Sequence, residues 1–336
     1  MSVPPQFDWA RRSAGPAPLR RPGSVRRTTS IDSHWPDGRG QPWTMTGRAR
    51  DLLTTSHGAA VELANASFSI TASTRREILE IVVDPPHPRS AEMVGVRAGG
   101  ASREALKATM GDLRGTPQFQ LLDDFAGASL VAGWIWSEWV ENWQADLGTG
   151  SKQPVAGRTG AMENICTGFA TGASSLGEDG QVVHGSQSRT EVGPLENPDD
   201  PQGWHELATQ FGPQMRRARR IDLFRDGVLL RADIGFQDSG SSPSGTRTAI
   251  HEYRVHAEID PNTMTLASIQ ALPLILPFRE CPGASIKVGR LVGQPLGEFR
   301  DSVLNTLPGT MGCTHLNDVL RALADVPTLS EKILIT

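Results

Sequence analysis

The chain repeats itself, and that constrains its fold more than any other feature of the sequence. Displaced by 194 residues, Val94–Asp124 runs without a gap against Val288–Asp318. Val94, Gly95, Gly99, Glu104, Leu113, Gly115, Thr116, Leu122 and Asp124 then meet identical residues. Much of the agreement is at glycine, where backbone geometry dictates the residue. Upstream, Ile31-Asp32 followed by Asp37-Gly38 resembles Ile221-Asp222 followed by Asp226-Gly227, in the same order. One structural unit written twice, over about 26–145 and 216–330, is therefore expected.

Each copy reads as four strands and then two helices. The strands are expected at Thr28–Ser33, Thr44–Leu53, Val61–Ala72 and Glu77–Asp84, and again at Ile221–Arg225, Val228–Gln237, His251–Ile259 and Thr265–Leu272. Alternation of polar and apolar residues marks half-buried antiparallel strands. The helices are expected at Ser102–Leu113 and from Gln118 in copy one, and at Leu296–Leu307 and Thr314–Leu323 in copy two. The fold class is then α+β, two modules related by a pseudo-twofold axis, as in a homodimer. Residues 1–25, rich in Pro, Arg and Ala, read as a disordered leader. Residues 146–215 have no counterpart in the repeat and read as a linker or lid, most simply a solvated insert.

Composition narrows the function classes. The net charge is −4 over 336 residues, which argues against a nucleic-acid groove. Ala126–Trp136, the longest apolar run, falls well short of the roughly 20 residues a bilayer needs. No secretory leader is evident. Cys166, Cys281 and Cys313 form no close pair, which fits a reducing, cytoplasmic setting. No dinucleotide fingerprint, phosphate loop or nucleophile elbow is present.

Chemistry-bearing residues gather at the second copy. Thr314 reads as a helix N-cap with Asn317 three positions on, which places Cys313 at a helix N-terminus where the dipole favours thiolate. His315, in the first turn, would be a general base or an activator of the thiol. Copy one has Phe119 and Leu121 at the equivalent places, so this Cys and His are particular to copy two. Against this stands a packed thiol and a packed imidazole. His34, near Asp32, is a weaker candidate of the same kind, and Asp318 completes the catalytic set. Asp124 and Asp318 are equivalent and read first as partners of buried arginines, with Arg27, Arg48 and Arg50 as the available cations. Asp124 and Arg48 are also candidate substrate contacts. Trp134, Trp136, Trp139 and Trp143 could line an aromatic pocket, although core packing is the simpler reading. Cys281, Cys313 and His315 fall short of a metal signature, and no metal or other cofactor is expected.

The run Gly312-Cys-Thr-His-Leu-Asn-Asp, the upstream Cys281-Pro-Gly-Ala and the opening Arg219-Arg220-Ile221-Asp222 with Asp226-Gly227 resemble a bacterial family, domain of unknown function 2889. The resemblance covers copy two end to end, and copy one without its Cys and His. It carries no assigned activity but associates the chain with the breakdown of aromatic and steroid compounds. The expectation is a cofactor-independent lyase that uses acid–base chemistry on a small apolar aromatic compound, such as formaldehyde elimination from a lignin-derived dimer. The alternative is a non-catalytic ligand-binding or scaffolding protein. Neither nucleic acid nor membrane is an expected partner, and a homodimer is an open arrangement.

Overall fold

The computed structural model describes residues 9–140, 162–178, 180–183 and 187–333. Its nine strands make one antiparallel sheet in the order β4-β3-β2-β1-β6-β7-β8, after which β8 pairs with both β5 and β9. The first meander is β1 (Ser24–His34), β2 (Trp43–Thr54), β3 (Ala60–Ala72) and β4 (Ile78–Asp84). The second is β6 (Gln214–Asp226), β7 (Leu229–Ser241), β8 (Arg247–Asp260) and β9 (Thr265–Ile275). The two meet where β1 pairs with β6, with Thr29 opposite Arg219. The short β5 (Thr190–Val192) comes from the insert.

Helices cover one face of the sheet. α1 (Gly100–Met110), α2 (Pro117–Val131) and the four-residue α3 (Trp136–Trp139) follow the first meander. α4 (Phe299–Thr306), α5 (Thr314–Arg321) and α6 (Val326–Ile333) follow the second. One apolar core lies under α1 and α2 around Met45, Phe68, Leu106 and Phe125. A second lies under α4–α6 around Phe236, Val255, Phe299 and Leu320.

Side chains alternate across a strand, and at the centre both sets are buried. On the helix side, Arg27 reaches Asp51 on β2 and Asp325 near α6. On the other side Arg26 grips Asp222, and Arg216 grips Asp32 in the same two-bonded manner. These reciprocal pairs sit on either side of the Thr29–Arg219 position. Almost the whole of β1 is buried, because a layer of irregular chain covers the second face.

That layer corrects two expectations. The leader is packed from Ser13 onward: Ala14 N–H donates to Glu252, Ala17 N–H to the Leu195 carbonyl, and Arg20 pairs with Asp200. Residues 195–208 of the insert form a strap, with Trp204 against Ala17 and Ala218 and with Arg216 donating to the Ala208 carbonyl. Buried backbone donors and acceptors must find partners, and leader and strap satisfy each other. Residues 1–8 and 141–161, including Trp143, lie outside the described residues. No helix among the described residues is long and apolar enough to cross a membrane.

His205 pins the strap. Its Nδ1 is 2.8 Å from Thr28 Oγ1 and its Nε2 is 2.8 Å from Ser30 Oγ. Burial, together with Arg50, Arg216 and Arg48, pushes it down to about 3. The unfolded chain takes up this proton near pH ~6.5, so falling pH favours unfolding across the window between the two values. The contribution of His205 should thus be complete above that window and lost toward pH 3, by at most about 1.4 kcal/mol per pH unit. Urea unfolding of wild type and His205→Gln at pH 7 and pH 4.5 checks it. An equal stability difference at both pH values would contradict the assignment.

Candidate active site

β6, β7, β8 and α5 bring Arg217, Asp238, His251 and His315 together under the helix layer. Arg217 faces the helices, and its Nε and Nη2 donate to Asp238 Oδ1 and Oδ2 at 2.8 and 2.9 Å. His251 stands opposite Asp238 in the β7–β8 register. The ladder is irregular between Asp238 and Ser239, where Ile250 is an extra residue on β8. Such a bulge re-aims the side chains beside it. Here Ile250 enters the small core of Trp134, Ile135 and Met215, and His251 faces the carboxylate.

His315, in the first turn of α5, stacks on His251 with ring centroids 3.5 Å apart and planes 22° apart. His251 Nδ1 lies 3.2 Å from Asp238 Oδ2, and His315 Nε2 lies 3.9 Å from it. Both nitrogens are buried; His315 Nε2 has no hydrogen-bond partner, and His251 Nδ1 has only the Asp238 carboxylate beside it. Burial, and then the neighbouring His251, hold His315 well below the usual histidine value. Burial lowers His251 as well, against the pull of Asp238. For Asp238 burial acts upward, but Arg217 and His251 keep it below the carboxylate range. The centre is thus two neutral imidazoles beside one carboxylate.

The surrounding network is tight. Arg217 Nη1 also donates to Asp318 Oδ2 at 2.9 Å, and Arg103 of α1 binds Asp318 from the far side. Gly127 of α2 gives this network room, since a Cβ there would stand 1.9 Å from Arg217 Nη1 and 2.1 Å from Asp318 Oδ2. Gly127→Ala is expected to lower stability by about 1–3 kcal/mol through overpacking, read by denaturant unfolding. An unchanged midpoint would show that the network yields.

The Gly-Cys-Thr-His run differs locally from the sequence reading. Cys313, not Thr314, occupies the cap position, and it makes no side-chain cap bond. The Asn317 amide donates to the Leu307 carbonyl instead. Gly312 is required because a Cβ would meet that carbonyl oxygen at 2.4 Å. Thr167 of the insert holds this loop by donating to the Gly312 carbonyl from its N–H. Cys313 is no thiolate: burial raises its pKa, and the Tyr253 hydroxyl donates to its sulfur at 3.5 Å. Cys166 and Cys281 are buried free thiols as well. Desolvation outweighs the dipole of an eight-residue helix.

The remaining candidates are dispersed. His34 ends β1 on the strap side, with Gln214 as its β6 partner, away from His315. Arg48 also lies on the strap side and contributes to the charge around His205. Asp124 and Asp318 do pair with buried arginines, but the partners are Arg219 for Asp124 and Arg217 and Arg103 for Asp318. Arg27, Arg48 and Arg50 are not those partners. Trp134 donates to Gln187 and Trp139 to the Ser241 carbonyl. Trp136 packs edge-on against Trp35, which stacks on Trp43. Trp35, Trp43, Trp134 and Trp136 line a cleft of about 740 Å³ with Arg39 and Arg76, and neither His315 nor His34 lines it.

Asp238 and His251 escaped the sequence reading. The strand registers supply the missing signal: Asp51 on β2 faces Ala64 on β3, as Asp238 faces His251. Arg27 holds Asp51 as Arg217 holds Asp238. The first meander therefore has a like Arg–Asp pair, with Ala64 facing the carboxylate where the second has His251.

No curated protein and no solved structure matches the chain. Residues 215–329, from β6 into α6, match the family model of a protein of unknown function (DUF2889), which supports a resemblance to that family over this C-terminal part of the chain.

Proposed function

We propose that the chain is an enzyme of the lyase type, acting without an organic cofactor on an apolar aromatic compound, with its reaction centre at His315, His251 and Asp238. The observation that carries this reading is the pair of stacked imidazoles beside a buried carboxylate, with His315 Nε2 left without a hydrogen-bond partner. Buried polar atoms without partners are uncommon and mark places kept for another purpose. His315 lies at the edge of the core with 15% of its side chain exposed, while its Nε2 is buried. The aromatic substrate class comes from the bacterial family resemblance. In the proposed step His315 takes the proton of a substrate hydroxymethyl group and the adjoining C–C bond breaks to release formaldehyde. The electron pair of that bond forms a C=C bond as the oxygen on the next carbon leaves with a proton. Incubation with diaryl dimers that carry a hydroxymethyl group, followed by a formaldehyde assay, tests this. Absence of release across such dimers would sink the lyase assignment.

The two halves are proposed to be duplicated copies about a pseudo-twofold axis through Thr29 and Arg219. The repeat in sequence and the reciprocal Arg26–Asp222 and Arg216–Asp32 pairs support it. The binding-protein alternative keeps one observation of its own. The Trp43 indole N–H is buried without a partner in the wall of the tryptophan cleft.

A further inference from the structure

We infer that Asp238, His251 and His315 form a binding site for one divalent transition-metal cation of the zinc class. The ligand atoms of the three residues all lie within 4.8 Å of one another. The 3.2 Å between His251 Nδ1 and Asp238 Oδ2 already matches the ~3.3 Å that metal–ligand bonds of ~2.0–2.2 Å at tetrahedral angles require. The 3.9 Å of His315 Nε2 closes to this value by a small rotation of a side chain at the edge of the core. His315 Nε2 lacks a hydrogen bond that a cation would have to displace.

The support around the ligands has the same character. Arg217 binds both oxygens of Asp238 and fixes the plane of the carboxylate, leaving lone pairs on Oδ2 for a further contact. Groups that orient a ligand in this way commonly accompany metal centres. The first half serves as an internal control. Its Arg27–Asp51 pair is intact, so the pair alone is architecture, and the two histidines are what the second half adds. Two imidazoles and one carboxylate favour zinc, cobalt or nickel over the oxygen-seeking magnesium and calcium. Three protein ligands leave a fourth position open, as in catalytic rather than structural sites. A cation there would supply a Lewis acid for a substrate oxygen. The inference goes beyond the lyase proposal, and because a cation on His315 Nε2 would occupy the lone pair which that proposal gives to a proton, chelation tells the two apart.

The test uses the full chain, stripped with a chelator and titrated with Zn²⁺ by calorimetry and with Co²⁺ by visible absorption. One Zn²⁺ per chain and a Co²⁺ ligand-field band are expected, with no comparable binding of Mg²⁺. His251→Ala and His315→Leu install the residues of the first half, and circular dichroism verifies their folding. Each should weaken Zn²⁺ by about 100-fold or more, at or beyond the upper end of the loss usual for a supporting residue. Cys313→Ser should bind as wild type does. A wild-type chain that takes up no Zn²⁺ would overturn the inference, as would folded histidine variants that bind it as tightly as wild type. Formaldehyde release that survives chelation would leave the lyase reading in place without the metal. Tight Zn²⁺ binding without turnover would do the reverse.

Discussion

His315→Ala is expected to lower turnover roughly 10²–10⁴-fold, the usual worth of a positioned proton acceptor, with little change in melting temperature. The expectation of small structural cost follows from the geometry. His315 Nε2 makes no hydrogen bond, so removing the ring breaks none there and costs mainly its packing, including the stack on His251. A packed structural histidine would behave in the opposite way. Its loss would cost about 1–3 kcal/mol for broken buried hydrogen bonds, and activity would fall only in proportion to the folded fraction. Stability and turnover measured on one His315→Ala preparation separate the two, and a folded, fully active variant ends the assignment. Cys313→Ser should be mild, because a buried thiol raised above its ordinary value is a poor nucleophile. A loss as large as that of His315→Ala would instead return Cys313 to the chemistry.

What could be read from the sequence follows from which interactions are local. All eight strands of the repeat were legible, because alternation and turn residues act over a few positions. The structure lengthens β1, expected at Thr28–Ser33, to Ser24–His34, since burial on both faces removes the alternation at its ends. His315 stands out in the sequence through its contrast with Leu121, and the structure sets it against His251. Asp238 and His251 were not, because their meeting depends on a cross-strand register and a bulge that no linear comparison contains. Cys313 was placed correctly beside a helix start but misjudged in charge, since burial lies in the tertiary packing. The leader was misjudged for a related reason. Its partners, Leu195 and Asp200, lie some 180 residues away, and backbone contacts at that range leave no periodic trace.

Arg217→Met should be among the most destabilising single changes at the centre of the molecule. Arg217 is 2% exposed and carries two buried carboxylates, Asp238 through Nε and Nη2 and Asp318 through Nη1. Methionine has comparable length and no charge, so packing is largely kept and the electrostatic loss is isolated. Removing one partner of a buried ion pair leaves an uncompensated charge and costs about 3–5 kcal/mol. For a chain of this size that corresponds to a fall in melting temperature of roughly 4–7 °C. Asp318 retains Arg103, whereas Asp238 retains only the two neutral imidazoles. The stranded charge is therefore mainly that of Asp238, and Arg217→Met combined with Asp238→Asn should recover much of the loss. Arg27→Met gives the comparison in the first half, where Asp51 loses its two-bonded partner and Asp325 keeps Arg300. The two variants should be similarly unstable if each Arg–Asp pair supports the fold. Differential scanning calorimetry of the three variants decides the matter. A drop of less than about 1 kcal/mol for Arg217→Met, within the range of an exposed pair, would mean that water reaches Asp238, and the closed reaction centre would fall with it.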